Sequence, residues 1–569
     1  MADEKGKFHN VEAVAVGNQV VIKATGQRVR YAWKNNPVEA NCRAAKSGLP
    51  ATPFEMELPQ PRYANPVLWS DVPDPDVIRV GDEFYMVTTT MHLMPGAPIM
   101  RSTDLVNWQT VGYVFDRLTD SPKYDMREGT VYGRGQWATS LKYHKGKFYA
   151  LFAPNDNPGG ETYICQAERA EGPWSIVSRL RHFHDATLFF DDDDRVYVFY
   201  GTGQMCELTA DLKDVKPGSD CRLFERDADE KGLLEGSRVI KHNGKYYLLM
   251  ISWTGGHPRR EVCYRADNIR GPYEKRVILE TEFAGFGGVG QGTIVDDAEG
   301  NWYGMIFQDR GGVGRVLTLE PCRWVDGWPI LGDEKGRIPE TIDASWLATL
   351  KGVEDCSPAQ PLTLSDDFSK KQLNLNWQWN HNPDNKAWSL TERAGWLRLR
   401  TSRVVENMYA APNSISQRME GPKCSATVAM DIAKLKDGDH AGFAAFNGHS
   451  GVLTVCRDGG ETYLTLTEQL VTLTDREKQI TKVDVEEKAR VKLKAKKVWL
   501  RIDGDFNLHR DKATFFYSLD GKQWQPLGGE FQMRFDYTRL FMGTRYQIFC
   551  YATKQPGGWV DVDSFSYSR

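Results

Sequence analysis

The sequence contains ten cysteines but no Cys-x-x-Cys pair. Neither a zinc site nor a compact disulfide framework is indicated, and most of the thiols read as buried core residues. No apolar run reaches the length of a membrane-spanning helix. The opening Met1-Ala-Asp-Glu-Lys-Gly-Lys lacks the apolar stretch of a signal peptide, which fits a cytoplasmic enzyme and a truncated secreted fusion equally well. Neither sign of charge predominates: 72 Lys and Arg face 76 Asp and Glu, mixed along the chain for a net charge of −4. A nucleic-acid, polyanion or membrane partner is therefore not expected. Aromatics are plentiful, at 11% with 17 Trp, enough for large cores and a sugar-facing site besides. The length of 569 residues allows two or three domains.

A strand–turn–strand unit recurs five times. Its first copy follows Trp69-Ser-Asp-Val-Pro-Asp-Pro-Asp and reads Val-Ile-Arg-Val, Gly-Asp-Glu, Phe-Tyr-Met-Val. Each copy carries an anchor tyrosine: Tyr85, Tyr149, Tyr197, Tyr247 and Tyr303, separated by 64, 48, 50 and 56 residues. A period near 50 in an all-β pattern predicts a five-bladed β-propeller with about four strands per blade. Turns after strands, three of the four closing on an aromatic, mark blade ends at Ser102–Trp108, Ala167–Trp174, Thr209–Leu212 and Ala266–Tyr273.

The repeat also locates the chemistry. Eleven residues before the anchor in blade one and twelve in the others stand Asp74, Trp137, Asp185, Glu235 and Gln291. The first strand of each blade lines the propeller axis, so equivalent positions on these strands are expected to converge. Three converging carboxylates are costly as mere structure, because like charges crowd one another. Asp71 and Asp76, which flank Asp74, read as caps of the proline turn. The run Asp191–Asp194 reads as a solvated hairpin turn, not a calcium loop.

Three domains are expected. Residues 1–57 stand outside the repeat, residues 58–63 form a proline linker, and the propeller covers about 64–350. After a polar connector, 364–569 is strand-rich with closely spaced Gly and Asp turns, which fits a two-sheet β-sandwich. The charged stretch 478–497 reads as a solvated hairpin.

These residues carry a resemblance. Pro73-Asp-Pro-Asp-Val-Ile-Arg-Val-Gly-Asp, Trp137-Ala-Thr-Ser-Leu-Lys-Tyr-His, Asp185-Ala-Thr-Leu-Phe-Phe-Asp and Glu235-Gly-Ser-Arg-Val-Ile-Lys resemble the motifs of glycoside hydrolase family 43, among its β-xylosidases and α-L-arabinofuranosidases. Trp377-Gln-Trp-Asn-His-Asn and Gln417-Arg-Met-Glu-Gly-Pro are similar to the concanavalin A-like sandwich appended to family β-xylosidases. Arg30-Tyr-Ala-Trp and Gly48-Leu-Pro-Ala-Thr-Pro-Phe resemble the C-terminal end of sialate O-acetylesterase-like esterases, without their nucleophile segment, which implies a remnant with no activity of its own.

The family resemblance implies an inverting glycosidase acting on xylo- or arabino-oligosaccharides. Asp74 would be the general base and Glu235 the general acid, with Asp185 holding the acid protonated and oriented. Trp137 would wall the sugar, and Arg315 would hold its hydroxyls. Met91 stands where the family carries an aromatic, and Gln291 where many members carry a histidine. An amide is a poor ligand for a soft metal. No cofactor or metal is expected, and a structural cation such as calcium is not indicated. The rival readings are an endo-arabinanase, a non-catalytic carbohydrate-binding propeller and, more weakly, a sucrose- or fructan-processing propeller.

Overall fold

The computed structural model describes residues 7–10, 13–16, 19–22, 28–31, 54–57, 62–156, 160–230, 232–343, 346–347, 350, 361–474 and 478–569. Two compact units emerge, one from Met1–Ala64 with Thr341–Pro358 and one from Asn65–Glu340 with Ala359–Arg569.

In the first unit, antiparallel pairs join Ala13–Val16 to Gln19–Ile22, Arg28–Tyr31 to Phe54–Glu57, and Arg62–Ala64 to Thr341–Asp343. Arg62 and Tyr63 thus belong to a strand and not to the expected linker, because a β-partner at Asp343 and Ile342 takes up their backbone groups. The esterase-like stretches 32–36 and 47–53 lie outside the described residues.

The second unit holds the propeller and the sandwich. Four four-stranded antiparallel sheets and one five-stranded sheet form the blades. Their inner strands are Asp76–Val80, Ser140–His144, Thr187–Phe190, Leu233–His242 and Phe286–Asp296. These strands pack side by side in a closed ring. Each anchor tyrosine sits on the next strand out, opposite Ile78, Lys142, Phe189, Ile240 and Val295 respectively. The repeat is thus one register position used five times. Apolar clusters fill the gaps between neighbouring blades, with Phe148 and Tyr85 between the first two and Tyr247, Ile294 and Trp328 between the last two.

The sandwich is two eight-stranded sheets. One of them ends on Leu93–Met94, a two-residue strand from blade one that pairs with Gln378–Asn380. A propeller segment therefore serves as a sandwich strand, and the two domains share backbone hydrogen bonds. The charged strand Ile480–Leu493 is the exposed edge of the same sheet, where lysine and glutamate discourage pairing with another chain. Among the described residues, eight cysteines are free and six of these are buried. No helix among the described residues is long and apolar enough to cross a membrane.

Candidate active site

The five equivalent positions do not all lie on strands. Asp74, Trp137 and Asp185 precede their inner strands, which begin at Asp76, Ser140 and Thr187. Glu235 and Gln291 lie within longer strands, each beside a register shift, between Glu235 and Arg238 and between Val289 and Gly292. A bulge re-aims a side chain without moving the sheet. Loops in three blades and bulges in two produce the convergence that strand geometry alone was expected to give.

Asp74 and Asp185 both adopt left-handed backbone conformations, with φ of 55° and 45°. Aspartate tolerates this region better than most residues, and such conformations gather at functional sites. The Asp74 carboxylate is 12% exposed, accepts a hydrogen bond from Thr89 Oγ1 at 2.7 Å and lies 3.7 Å from Arg315 Nη1. Arg238, fully buried, donates from Nη2 to the Asp74 carbonyl at 2.9 Å and holds the loop from behind.

Asp71 and Asp76 do not cap the turn. Asp71 accepts from the backbone N–H groups of Arg315 and Gly543, joining blade five and the sandwich to the loop that carries Asp74. Asp76 accepts from the Leu141 N–H at 2.8 Å and pairs with Lys142 at 3.0 Å and with Arg238 at 3.7 Å, tying three blades. Donors from other blades and from the sandwich reward those carboxylates more than a local turn would. Asp191 does sit in a hairpin turn, and its charge is met by Lys241 at 2.6 Å.

Asp185 has an 8% exposed side chain. Burial pushes its carboxyl well above the usual carboxylate range, opposed by His184 and reinforced by the charges of Glu235 and Asp74. Arg181, His182 and His184 are its nearest basic neighbours in sequence. Arg181 instead pairs with Asp220, and His182 meets the Gly160 carbonyl. His184 Nε2 lies 4.0 Å from Asp185 Oδ1 and 3.2 Å from Glu235 Oε2. The Asp185 carboxylate, first, and then contact with Glu235 hold the imidazole in its charged form to higher pH than usual, against burial.

Trp137 lines a small cavity with His184 and Asp185. Its Nε1, like Nε2 of Gln291, is a buried donor without a hydrogen-bond partner among the described residues. Gln291 packs on Gly236, the residue after the Glu235 carboxylate. A Cβ on Gly236 would stand 2.3 Å from Gln291 Cδ, and its φ is 74°, so glycine is required there twice over.

The sandwich completes the constellation. Phe541 packs 5.5 Å from the Trp137 ring. Arg315 stacks 4.4 Å over Phe541 and donates to its carbonyl from Nη2 at 3.1 Å. Met91, buried with φ of 54°, is bonded through both backbone groups to Gln136, the neighbour of Trp137. His184, Asp185 and Glu235 form a group of three potential cation-binding side chains, with ligand atoms within 4.8 Å. That group belongs to this constellation and not to a separate centre.

Two domain models match the chain: glycosyl hydrolases family 43 over residues 63–329 and the β-xylosidase C-terminal concanavalin A-like domain over 365–568. A β-xylosidase of Formosa agariphila is 30% identical, covering 89% of this chain and 90% of its own length. The chain belongs to glycoside hydrolase family 43. It is therefore a glycoside hydrolase with a carbohydrate substrate. A non-reducing end α-L-arabinofuranosidase of Bacteroides ovatus is 28% identical over 74% of this chain and 82% of its own. A solved bifunctional GH43-CE structure from Bacteroides eggerthii is 38% identical, with a TM-score of 0.79 over 90% of this chain; the chain spans 64% of that longer protein.

For this family 43 enzyme, the expected residues Asp74, Asp185, Glu235, Trp137, Gln291, Met91 and Arg315 come together around one site. Sequence reasoning missed the contact of His184 with Glu235, and it missed Phe541. The histidine was legible as the residue before Asp185. The second lies 226 positions from Arg315, with no repeat to place it.

Proposed function

We propose that the enzyme is an exo-acting, inverting glycosidase that removes a terminal xylose or arabinofuranose from oligosaccharides derived from xylan or arabinan. One observation carries the exo reading: Phe541 of the sandwich sits against Trp137 and Arg315 beside the carboxylates. A cleft walled at one end by a second domain accepts a chain end and not a chain interior. The two pentose activities follow those for which the relatives are named, a β-xylosidase and an α-L-arabinofuranosidase.

In this reading, water is deprotonated by Asp74, whose carboxylate is aimed by the Thr89 hydroxyl and Arg315. Glu235 gives its proton to the leaving oxygen. Asp185 and His184 set the charge around that acid. Trp137 Nε1 and Gln291 Nε2 are free to donate to sugar hydroxyls, since an unmade buried hydrogen bond costs about 1–3 kcal/mol and a ligand oxygen recovers it. These steps need only water and the chain's own carboxyl groups, so no cofactor is proposed; activity unchanged after dialysis against EDTA is the expected result. Residues 1–57 are proposed to add no esterase activity, because the esterase nucleophile segment has no counterpart in them.

The test is hydrolysis of p-nitrophenyl β-D-xyloside, p-nitrophenyl α-L-arabinofuranoside and linear arabinan side by side. Release from either aryl glycoside supports the reading, and their ratio names the preferred pentose. Cleavage of arabinan alone would replace it with an endo-arabinanase, and inactivity of the folded protein on all three with a binding module.

A further inference from the structure

A cavity beside the active site is lined by Asp71, Thr89, Met91 and Arg315 from the propeller and by Arg418 and Arg545 from the sandwich. Asp74, Glu235, Asp185 and Trp137 do not line it. Its volume, about 10 Å³, gives room for one water-sized particle.

The lining is electrostatically unbalanced. Arg418 and Arg545 stand directly opposite each other on adjacent antiparallel strands, Ile415–Arg418 and Arg545–Ala552. Like charges in that relation destabilise a sheet. Each residue is only 4% exposed. Among the described residues, neither has a carboxylate within ion-pair distance. The Asp71 carboxylate is already committed to the Arg315 and Gly543 N–H groups. Arg418 donates Nε to the Asp71 carbonyl at 3.0 Å, and Arg545 uses Nε and Nη2 on Ser416 and Gln378. Both terminal nitrogens of Arg418 and Nη1 of Arg545 have no hydrogen-bond partner among the described residues. Burial, with Arg418 beside it, pushes the Arg545 guanidinium down to about 9, which still leaves it charged at neutral pH. Two buried, unpaired guanidinium groups are costly unless a counter-charge reaches them.

We infer that this cavity is a binding site for a monovalent, halide-sized anion, chloride in ordinary solution, held between Arg418 and Arg545. The ion joins the two domains behind Thr89 and Arg315, the two residues that touch the Asp74 carboxylate. A sugar carboxylate is too large for the space, so the site is not a subsite for an acidic substrate.

The experiment measures thermal unfolding of the full chain at constant ionic strength while chloride replaces gluconate. The expected result is a saturable rise in Tm of about 1–3 °C, reproduced by bromide and absent in Arg545→Met. An equal Tm in both salts, or an equal chloride response in Arg545→Met, would overturn the inference. Bromide soaked into crystals of the unaltered protein gives a test that needs no variant. An anomalous peak between Arg418 and Arg545 is expected, and its absence, or a peak with no shift of Tm in solution, counts against the site.

Discussion

His184 Nε2 lies 3.2 Å from Glu235 Oε2 and 4.0 Å from Asp185 Oδ1. The imidazole is thus placed between two of the three carboxyl groups that converge on the propeller axis. Asp185 holds it charged to higher pH than an ordinary histidine. In turn, the imidazolium opposes the upward shift that burial gives the Asp185 carboxyl. Replacing His184 with glutamine removes the cation and leaves Asp185. The alkaline limb of kcat/KM is then expected to move upward by about one pH unit. A limb that stays in place while KM rises would make His184 a packing residue.

The two proposed catalytic carboxylates differ in what the leaving group asks of them. A nitrophenolate departs without a proton, whereas a sugar alkoxide needs one. Glu235→Ala should therefore lower kcat on xylobiose by about 10²–10⁴ and on p-nitrophenyl xyloside much less. Asp74→Ala should lower both by similar factors, since water must be activated in either case. Equal losses on both substrates in both variants would remove the acid and base assignments, and parent-like rates would remove the catalytic reading altogether.

Phe541 reaches the site because the sandwich chain comes close to blade five. At Gly543 a Cβ would stand 2.2 Å from the Val313 carbonyl, so any side chain there would lift this segment away. Phe541→Ala removes the ring that packs on Trp137 and under Arg315. It is expected to raise KM about tenfold or more and to cost less stability than the roughly 3–5 kcal/mol of a core Phe→Ala change, because the ring belongs to a site wall and not to the core. Steady-state kinetics on the aryl glycosides and a thermal melt separate the two effects.

The five-blade repeat was legible because one tyrosine per blade holds a single register position, and the carboxylates kept phase with it. The sandwich was legible from strand density. The roles of Asp71 and Asp76 were not, since their partners, Gly543 and Arg238, lie 472 and 162 residues away. Local turn chemistry gave the wrong reading where long-range donors compete with it. The pairing of Leu93–Met94 with Gln378–Asn380 was equally hidden: two residues in a proline-bearing loop have no periodicity.

Glu261 and Glu320 are completely buried on the third strands of blades four and five, and their four carboxyl oxygens lack hydrogen-bond partners among the described residues. The nearby Thr318 hydroxyl is given to the Ile306 carbonyl. Burial raises both carboxyls well above the usual range, and Glu261 is raised further by Glu320 although Arg238 opposes this. The folded protein therefore holds protons that the unfolded chain releases. Stability from this source is fully present below the unfolded carboxyl range and falls as pH rises toward the folded values, by up to about 1.4 kcal/mol per pH unit for each group. Glutamine keeps the size and the neutrality without the ionisable proton. The double variant Glu261→Gln, Glu320→Gln should match the parent in urea unfolding at pH 4 and exceed it at pH 8, so that the two stability curves separate as pH rises. Curves that stay parallel would mean that the pair is satisfied in a way that does not depend on its protons.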